Sequence, residues 1–136
     1  MPFAIDASVV AAWALEENHP VADAAAGQLR NDSAFAPGLW WYELRNVLVI
    51  AERRQRLTER RTTEFLSRIA QLAIVLEQSP DEAAVLALAR RHGLTVYDAA
   101  YLELAMRKAL PLATLDAALA RAARAEAVPL IGDGEG

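Results

Sequence analysis

Four carboxylates are the residues of this 136-residue chain best suited to chemistry, since each falls at the edge of an apolar segment: Asp6, Glu43, Asp98 and Asp116. Asp6 and Asp116 directly follow short apolar runs that predict buried strands, Asp98 opens a helix of small residues, and Glu43 follows three aromatic residues. Because the carboxyl ends of parallel strands meet at one edge of a sheet, we expect Asp6 and Asp116 to lie close together. Four like charges in a partly buried pocket raise one another's pKa, and bound Mg²⁺ or Mn²⁺ would neutralise them. The pattern therefore predicts a divalent-cation site, where the ion can activate water and stabilise charge on a phosphoryl oxygen.

Each acid taken alone also has an ordinary structural explanation. Asp6, Ser8 and Asp116 are all suited to capping the helix that follows them, and a carboxylate in a first turn, as at Asp98, is favoured by the helix dipole. Glu43 lies on an amphipathic helix, where a glutamate is usually solvated. It is the joint placement of the four acids at the edges of apolar elements that favours a site.

The composition narrows the chemistry that such a site can use. The chain contains no cysteine and two histidines, His19 and His92, which excludes disulfides and thiolate metal sites and disfavours a histidine-based zinc site. Any metal must then be a hard cation held by carboxylates. The formal net charge of −4 disfavours a general nucleic-acid coat protein, although it is compatible with a nuclease that has an acidic metal site.

Hydropathy patterning is typical of a compact domain without a membrane span. Hydrophobic residues make up 54% of the chain, which excludes intrinsic disorder, and polar residues interrupt every apolar run before it reaches the length of a membrane span. The N-terminal sequence has no basic region before an apolar stretch, so we expect no secretory signal and no membrane partner. Length predicts one domain over residues 1–136, and the lack of cysteine fits a reducing cytoplasm.

Short apolar runs alternate with longer amphipathic segments along the chain. The runs predict strands at 3–5, 33–36, 73–76, 112–115 and 128–131. Helices are predicted at about 9–16, 20–29, 39–54, 58–72, 80–92, 96–110 and 117–125, with Ser79 capping the fifth, and residues 132–136 are predicted to fray. This alternation predicts a helix-rich α/β fold in which helices flank a small, mainly parallel central sheet.

Four short motifs carry a resemblance to a known family. They are Ile5-Asp6-Ala7-Ser8-Val9, Glu43-Leu44-Arg45-Asn46, Thr95-Val96-Tyr97-Asp98-Ala99-Ala100-Tyr101 with Leu104-Ala105, and Thr114-Leu115-Asp116 with Leu119 and Ala122. In order and spacing, over nearly the whole chain, these motifs resemble a PIN-domain ribonuclease of the VapC toxin type, which implies a PIN-like fold. Residues 18–33 and 52–93 carry no motif, so the resemblance transfers no substrate or partner contacts to them.

The resemblance implies an activity, a cofactor and partners. The four acids would form a site for Mg²⁺ or Mn²⁺ that hydrolyses RNA phosphodiester bonds. Ser8, Asn46 and Thr114 match the family positions that orient acids and waters, and Asn46 lies three residues after Glu43, on the same side of the helix. The resemblance also implies a homodimer and a cognate antitoxin whose C-terminal segment packs into a groove near the acids.

Two surface features lie outside the motifs. Arginines crowd the junction between the third and fourth helices, where they are candidates either for contact with RNA phosphates or for a plain solvated junction: Arg53, Arg54, Arg56, Arg60 and Arg61. The adjacent Trp40 and Trp41 cannot both point inward from one helix face, so we expect at least one of them to meet a partner or a groove.

Three other interpretations stay open beside the ribonuclease. A phosphoacceptor receiver domain would need paired acids after its first strand and a lysine at a late strand end, whereas Asp6 stands alone and Lys108 falls in a predicted helix. A catalytically silent PIN-like binding module is disfavoured by the retention of all four acids. A DNA nuclease with the same site would need further elements to grip DNA, for which the chain is short.

Overall fold

The computed structural model describes residues 1–132, within which four parallel strands are flanked by seven helices. The strands are β1 (Phe3–Ile5), β2 (Ala34–Pro37), β3 (Ile74–Glu77) and β4 (Leu112–Ala113), in the order β3-β2-β1-β4. The helices are α1 (Ala7–Ala14), α2 (Pro20–Leu29), α3 (Leu39–Arg53), α4 (Glu59–Ile69), α5 (Glu82–His92), α6 (Val96–Lys108) and α7 (Ala117–Ala125). None of these seven helices is long and apolar enough to cross a membrane. The predicted helix-rich α/β fold with a parallel central sheet is confirmed.

Strand β1 and helix α6 form the centre of the fold because both are buried along most of their length. All of β1 is buried between β2 and β4. In α6 the residues from Ala99 to Ala105 are buried, and the alanines among them let the helix pack closely on β1 and β2. Burial of Leu102 and of Leu104 stabilises the fold by roughly 1.5–3 kcal/mol each. Since α6 leads back to the start of β4, its first turn lies at the carboxyl edge of the sheet.

The fifth predicted strand, at residues 128–131, is wrong. The structure has a single parallel bridge there, between Leu112 and Leu130. The N–H of Val128 is bonded instead to the carbonyl oxygen of Ala123 at the end of α7, and Pro129 has no N–H to donate. Since alternate residues of a parallel strand face the same neighbour, Pro129 stands where the next donor to β4 would be needed, and the bridge does not extend into a ladder in that direction.

Strand β4 ends two residues earlier than predicted, at Ala113. Beyond it, the N–H of Leu115 donates to Ser8 Oγ at 3.0 Å, and the N–H of Asp116 donates to Thr114 Oγ1 at 3.0 Å. The backbone after β4 is thus bonded to side chains near the acids instead of to a neighbouring strand.

Two predicted helix caps are also wrong. Helix α5 is capped by Asp81, whose Oδ1 accepts the N–H of Ala84 at 3.2 Å, and not by Ser79. Ser8 lies within the first turn of α1, where the cap position is Asp6. The hydroxyl of Ser8 is therefore available to other side chains.

The C-terminal segment begins with a close contact. Gly132 has a φ of +73°, and a Cβ built on it would lie 3.0 Å from the Cα of Val21 in α2. A larger residue would be strained in this conformation and crowded by that backbone. Fraying of Gly132 stays a prediction, while residues 133–136 lie outside the described part of the chain.

Candidate active site

The four acids all lie at the carboxyl edge of the sheet. Asp6 directly follows β1, and its N–H donates to the carbonyl oxygen of Ala113 in the neighbouring β4 at 2.9 Å. Asp116 comes after β4 and occupies the cap position of α7. Helix α3 begins just after β2, and α6 begins at the same edge, so Glu43 and Asp98 in their early turns complete the group.

The acids influence one another's ionisation, as expected for one cluster. Burial raises the pKa of Asp6, Glu43 and Asp98, and in each case the charge of at least one other member raises it further. For Asp98, burial followed by the charges of Asp116 and Asp6 raises the pKa to about 6. Within residues 1–132, no ion pair joins any of the four to a cationic side chain. The cluster thus holds desolvated like charges that the described residues do not balance.

Asp6 is the most buried of the four, and two hydroxyl groups fix it. Its Oδ2 accepts hydrogen bonds from Ser8 Oγ at 2.8 Å and from Thr114 Oγ1 at 2.7 Å. Each hydroxyl in turn accepts a backbone N–H, from Leu115 and Asp116 respectively. These contacts favour the charged carboxylate, but burial outweighs them and the pKa of Asp6 is raised. Ser8 and Thr114, both predicted to support the acids, thus form hydrogen bonds with Asp6.

Glu43 is fixed by Tyr101, which the sequence analysis quoted in a motif without giving it a role in the site. The phenol of Tyr101 donates to Glu43 Oε1 at 2.6 Å, and Tyr101 is fully buried. Burial raises the pKa of Glu43, and the charges of Asp6 and Asp98 raise it further. The hydrogen bond from Tyr101 lowers it, but by less, so the pKa is raised overall. A signal was available in the sequence: Tyr101 lies three residues after Asp98 on an otherwise small and apolar helix, and a buried phenol needs a hydrogen-bond partner.

The ordinary capping explanation holds for some of the acids and fails for one. Asp116 Oδ1 accepts the N–H of Leu119 at 2.9 Å, so this acid caps α7. Asp98 donates its own N–H to the capping Thr95 Oγ1 at 3.0 Å and keeps its carboxylate for the cluster. Asp6 makes no capping hydrogen bond with its side chain. A position at a helix start is therefore compatible with membership of the cluster, because the starts of α6 and α7 direct Asp98 and Asp116 towards it.

Asn46 lies one turn beyond Glu43, as its spacing predicts. It is exposed, and it lines an open depression of about 490 Å³ together with Tyr42, Glu43, Arg45 and Val49. Its amide therefore lies on the approach to Glu43 from solvent. A role for it in orienting acids or water stays a prediction.

The arginine-rich helix junction lies away from the acids. Arg53 ends α3, ten residues after Glu43, which corresponds to roughly 15 Å along the helix axis. Arg56 pairs with Glu17 at 3.1 Å in an exposed position, so part of the positive charge is balanced within the chain. Contact of Arg53, Arg54 and Arg56 with RNA stays a prediction.

The two adjacent tryptophans differ in exposure, as predicted. Trp40 is 4% exposed and Trp41 is 44% exposed. The guanidinium of Arg45 lies 3.9 Å from the centroid of the Trp41 ring, and Tyr42 meets that ring edge-on. Trp41 and Tyr42 both border a groove of about 710 Å³ between the start of α3, the end of β3 and α6. The prediction that one tryptophan meets a groove is confirmed, and Tyr42 borders both this groove and the depression that Glu43 lines.

The donor set of the cluster suits a hard divalent cation. It offers carboxylate oxygens only, which Mg²⁺ and Mn²⁺ prefer. Asp6 Oδ1 and Glu43 Oε2 receive no hydrogen bond from the described residues, so each carboxylate has one oxygen left for an ion. No three acidic or histidine side chains in residues 1–132 converge as tightly as a metal site requires. An ion would therefore have to draw the repelling carboxylates inward.

Comparison with known proteins identifies the domain. Residues 3–125 match the model of the PIN domain family. Among solved structures, the chain is similar to the crystal structure of PAE2754 from Pyrobaculum aerophilum, with a TM-score of 0.69 and 25% sequence identity over 90% of this chain and 79% of that one. No curated protein matches it. Because the family match extends over most of the sequence, the chain belongs to the PIN domain family of nuclease-type domains.

Proposed function

We propose that this PIN domain is an endoribonuclease that hydrolyses RNA phosphodiester bonds with Mg²⁺ or Mn²⁺, as the VapC-type toxin of a toxin–antitoxin pair. The observation that carries the proposal is the cluster of four carboxylates at the sheet edge, which has no cationic partner among residues 1–132. Keeping such charges partly desolvated costs stability. In a nuclease-type domain, a divalent cation that binds the carboxylates would offset that cost.

The chain's own residues have distinct tasks in this proposal. Asp6, Glu43 and Asp98 provide the first oxygen ligands, and Asp116 holds a second ion or a water. When bound, the divalent cation supplies positive charge beside the scissile phosphate and lowers the pKa of water. A water attacks the phosphorus in line with the leaving oxygen, and the protein contributes position and charge.

A cognate antitoxin, and a second copy of this chain, are the protein partners that we propose, in the cytoplasm. The groove of about 710 Å³ has a mainly apolar lining with the exposed Trp41 and Tyr42, which suits a protein segment of the antitoxin. A segment that continues past Tyr42 into the depression at Glu43 would be favoured by a basic residue there. A short neighbouring gene whose product inhibits RNA cleavage would support the toxin role, and light scattering of the purified chain tests the dimer.

The direct test is cleavage of a mixed RNA pool by the purified chain. We expect cleavage with Mg²⁺, none with EDTA, and none by the Asp98→Asn variant with Mg²⁺. Asp23→Asn is the matched control, because Asp23 is exposed and lies in the first turn of α2 just as Asp98 lies in the first turn of α6. It should cleave like the wild type.

The same assay separates the other candidate functions. A folded chain that binds RNA but does not cleave it with either ion would be a binding module, and the proposal would be wrong. A parallel pool of single-stranded DNA is expected to stay intact. Cleavage of the DNA pool with RNA left whole would identify a DNA nuclease instead.

A further inference from the structure

The hydrogen bond between Tyr101 and Glu43 joins two elements that are far apart in sequence. Tyr101 lies on α6 and Glu43 on α3, and the phenol oxygen is 2.6 Å from Glu43 Oε1. Tyr101 is fully buried, whereas Glu43 is half-buried and faces the open depression beside α3. The phenol therefore reaches Glu43 from the protein interior and leaves its outer side open to solvent.

The position of Tyr101 also connects it with the other acids. It lies three residues after Asp98, on the same side of α6. Burial raises the pKa of the Tyr101 phenol, and the charge of Asp6 raises it further, so the phenol also lies near Asp6. One hydroxyl group thus bonds to α3 and lies near the acid that follows β1, and it is carried by the helix that bears Asp98.

A common pattern appears when the hydrogen bonds of the acids are compared. Asp6 is held through Oδ2 by two hydroxyl groups, and Glu43 is held through Oε1 by Tyr101. Asp116 is held through Oδ1 by the N–H of Leu119. In each carboxylate the bonds from the described residues fall on one oxygen, so the second oxygen stays available.

We propose that Tyr101 is a positioning residue of the site, which holds Glu43 by Oε1 so that Oε2 is presented to the divalent cation. Tyr101 acts through Glu43 and does not touch the ion or the RNA. The inference rests on the proposed metal-dependent cleavage and extends it to a residue outside the acid set. Without the phenol hydroxyl, the Glu43 side chain gains rotational freedom and must be ordered again by the cation, which weakens metal binding.

The test is a comparison of Tyr101→Phe with Tyr97→Phe. Phenylalanine preserves the buried ring of Tyr101, and Tyr97 is 62% exposed on the same helix, so it serves as the matched control. Cleavage of a single-stranded RNA is measured against Mg²⁺ concentration and, separately, against RNA concentration. In Tyr101→Phe we expect half-maximal activity to need roughly 10–100-fold more Mg²⁺, with half-saturation by RNA unchanged. Tyr97→Phe should match the wild type in both.

A second measurement keeps the wild-type hydroxyl in place, in case Tyr101→Phe does not fold. In a Tyr42→Phe, Tyr97→Phe background, Tyr101 is the single tyrosine left, since the chain contains three, and it can be replaced by 3-fluorotyrosine. Its fluorine resonance should shift on addition of Mg²⁺, with the same midpoint as metal-dependent cleavage.

The outcomes separate this inference from the proposed function. If the wild type cleaves RNA with Mg²⁺ but Tyr101→Phe has an unchanged Mg²⁺ requirement, the positioning role is wrong and the proposed function stands. An unchanged fluorine resonance at saturating Mg²⁺ has the same meaning. If the wild type neither binds Mg²⁺ nor cleaves RNA, both are wrong.

Discussion

Helix α6 carries two kinds of buried or partly buried carboxylate, and the difference between them separates structure from function. Glu103 is 3% exposed, and Arg107 lies 2.6 Å from it; Arg107 also approaches Glu77 at 3.6 Å. Asp98, at the start of the same helix, has acids for neighbours instead, and its pKa is raised to about 6 by burial and by their charges. The paired glutamate stabilises the fold, whereas Asp98, which has no cationic partner among residues 1–132, belongs to a cluster whose negative charge a bound cation would balance.

The surroundings of Arg107 favour its charged form, whereas the surroundings of the clustered acids disfavour theirs. The hydrogen bond from Arg107 to Glu103 raises the pKa of Arg107, because the charged form is the one that Glu103 accepts. At the cluster, burial and like charges raise the pKa of the acids and so disfavour their charged form. The charges near the end of α6 therefore stabilise the fold, and the charge of Asp98 at its start destabilises it until a cation binds.

The largest expected effect comes from replacing Asp6, the most buried acid of the cluster. Asp6→Asn should lower RNA hydrolysis on the order of 10⁴-fold, the scale seen when one member of a catalytic unit is lost. The amide oxygen can still accept the hydroxyls of Ser8 and Thr114, so the fold should be retained, and removal of a repelling charge should raise metal-free stability. Steady-state cleavage assays and thermal unfolding check both parts. An active Asp6→Asn protein would show that Asp6 is not part of a catalytic site.

Breaking the ion pair between Arg107 and Glu103 should give the next largest effect, which is on the stability of the fold and not on RNA cleavage. Arg107→Met leaves Glu103 buried without its cation, so we expect the free energy of unfolding to fall by about 3 kcal/mol. Arg90→Met, at an exposed position near the end of α5, is the control and should change it by less than about 0.5 kcal/mol. Urea denaturation measures both. Equal stability of the two variants would mean that the Glu103 ion pair contributes nothing to the fold.

The smallest expected effect is a pH dependence of metal-free stability that comes from Asp98. Its pKa is raised from 3.8 to about 6 on folding, so folding favours the protonated form. That contribution is complete below the unfolded pKa and is lost as the pH rises through about 6. Asp98→Asn removes it, so the gain in stability of the variant over the wild type should grow between about pH 4 and about pH 6 and stay constant above that range. Urea denaturation without divalent ions, with Asp23→Asn as control, measures this gain; a difference that does not change with pH would contradict the shifted pKa.

The sequence predicts the placement of the acids better than it predicts their hydrogen bonds. Asp6 and Asp116 could be located because apolar runs mark strand ends, and neighbouring parallel strands bring those ends together. Asp98 could be located because Thr95 marks the start of α6. These are local signals, and they are strong because burial and capping depend on nearby residues.

The contacts that complete the site depend on how distant elements pack. The bond of Tyr101 to Glu43 spans 58 positions, and that of Thr114 to Asp6 spans 108, so each requires the rotation of one element against another. The same reason explains the missed pairing of Arg56 with Glu17 across 39 positions. The loss of the fifth predicted strand, by contrast, had a local signal, because Pro129 has no N–H to donate to β4.

The comparison between the two ends of α6 is tested most directly by calorimetric titration of Mn²⁺ into the metal-free chain and two of its variants. The account predicts saturable binding by the wild type, loss of that binding in Asp98→Asn, and wild-type binding by folded Glu103→Gln, because Glu103 is already paired with Arg107. The two substitutions remove the same charge from the same helix, so only their surroundings differ. Absence of Mn²⁺ binding by the wild type, or binding that survives in Asp98→Asn and is lost in Glu103→Gln, would contradict it.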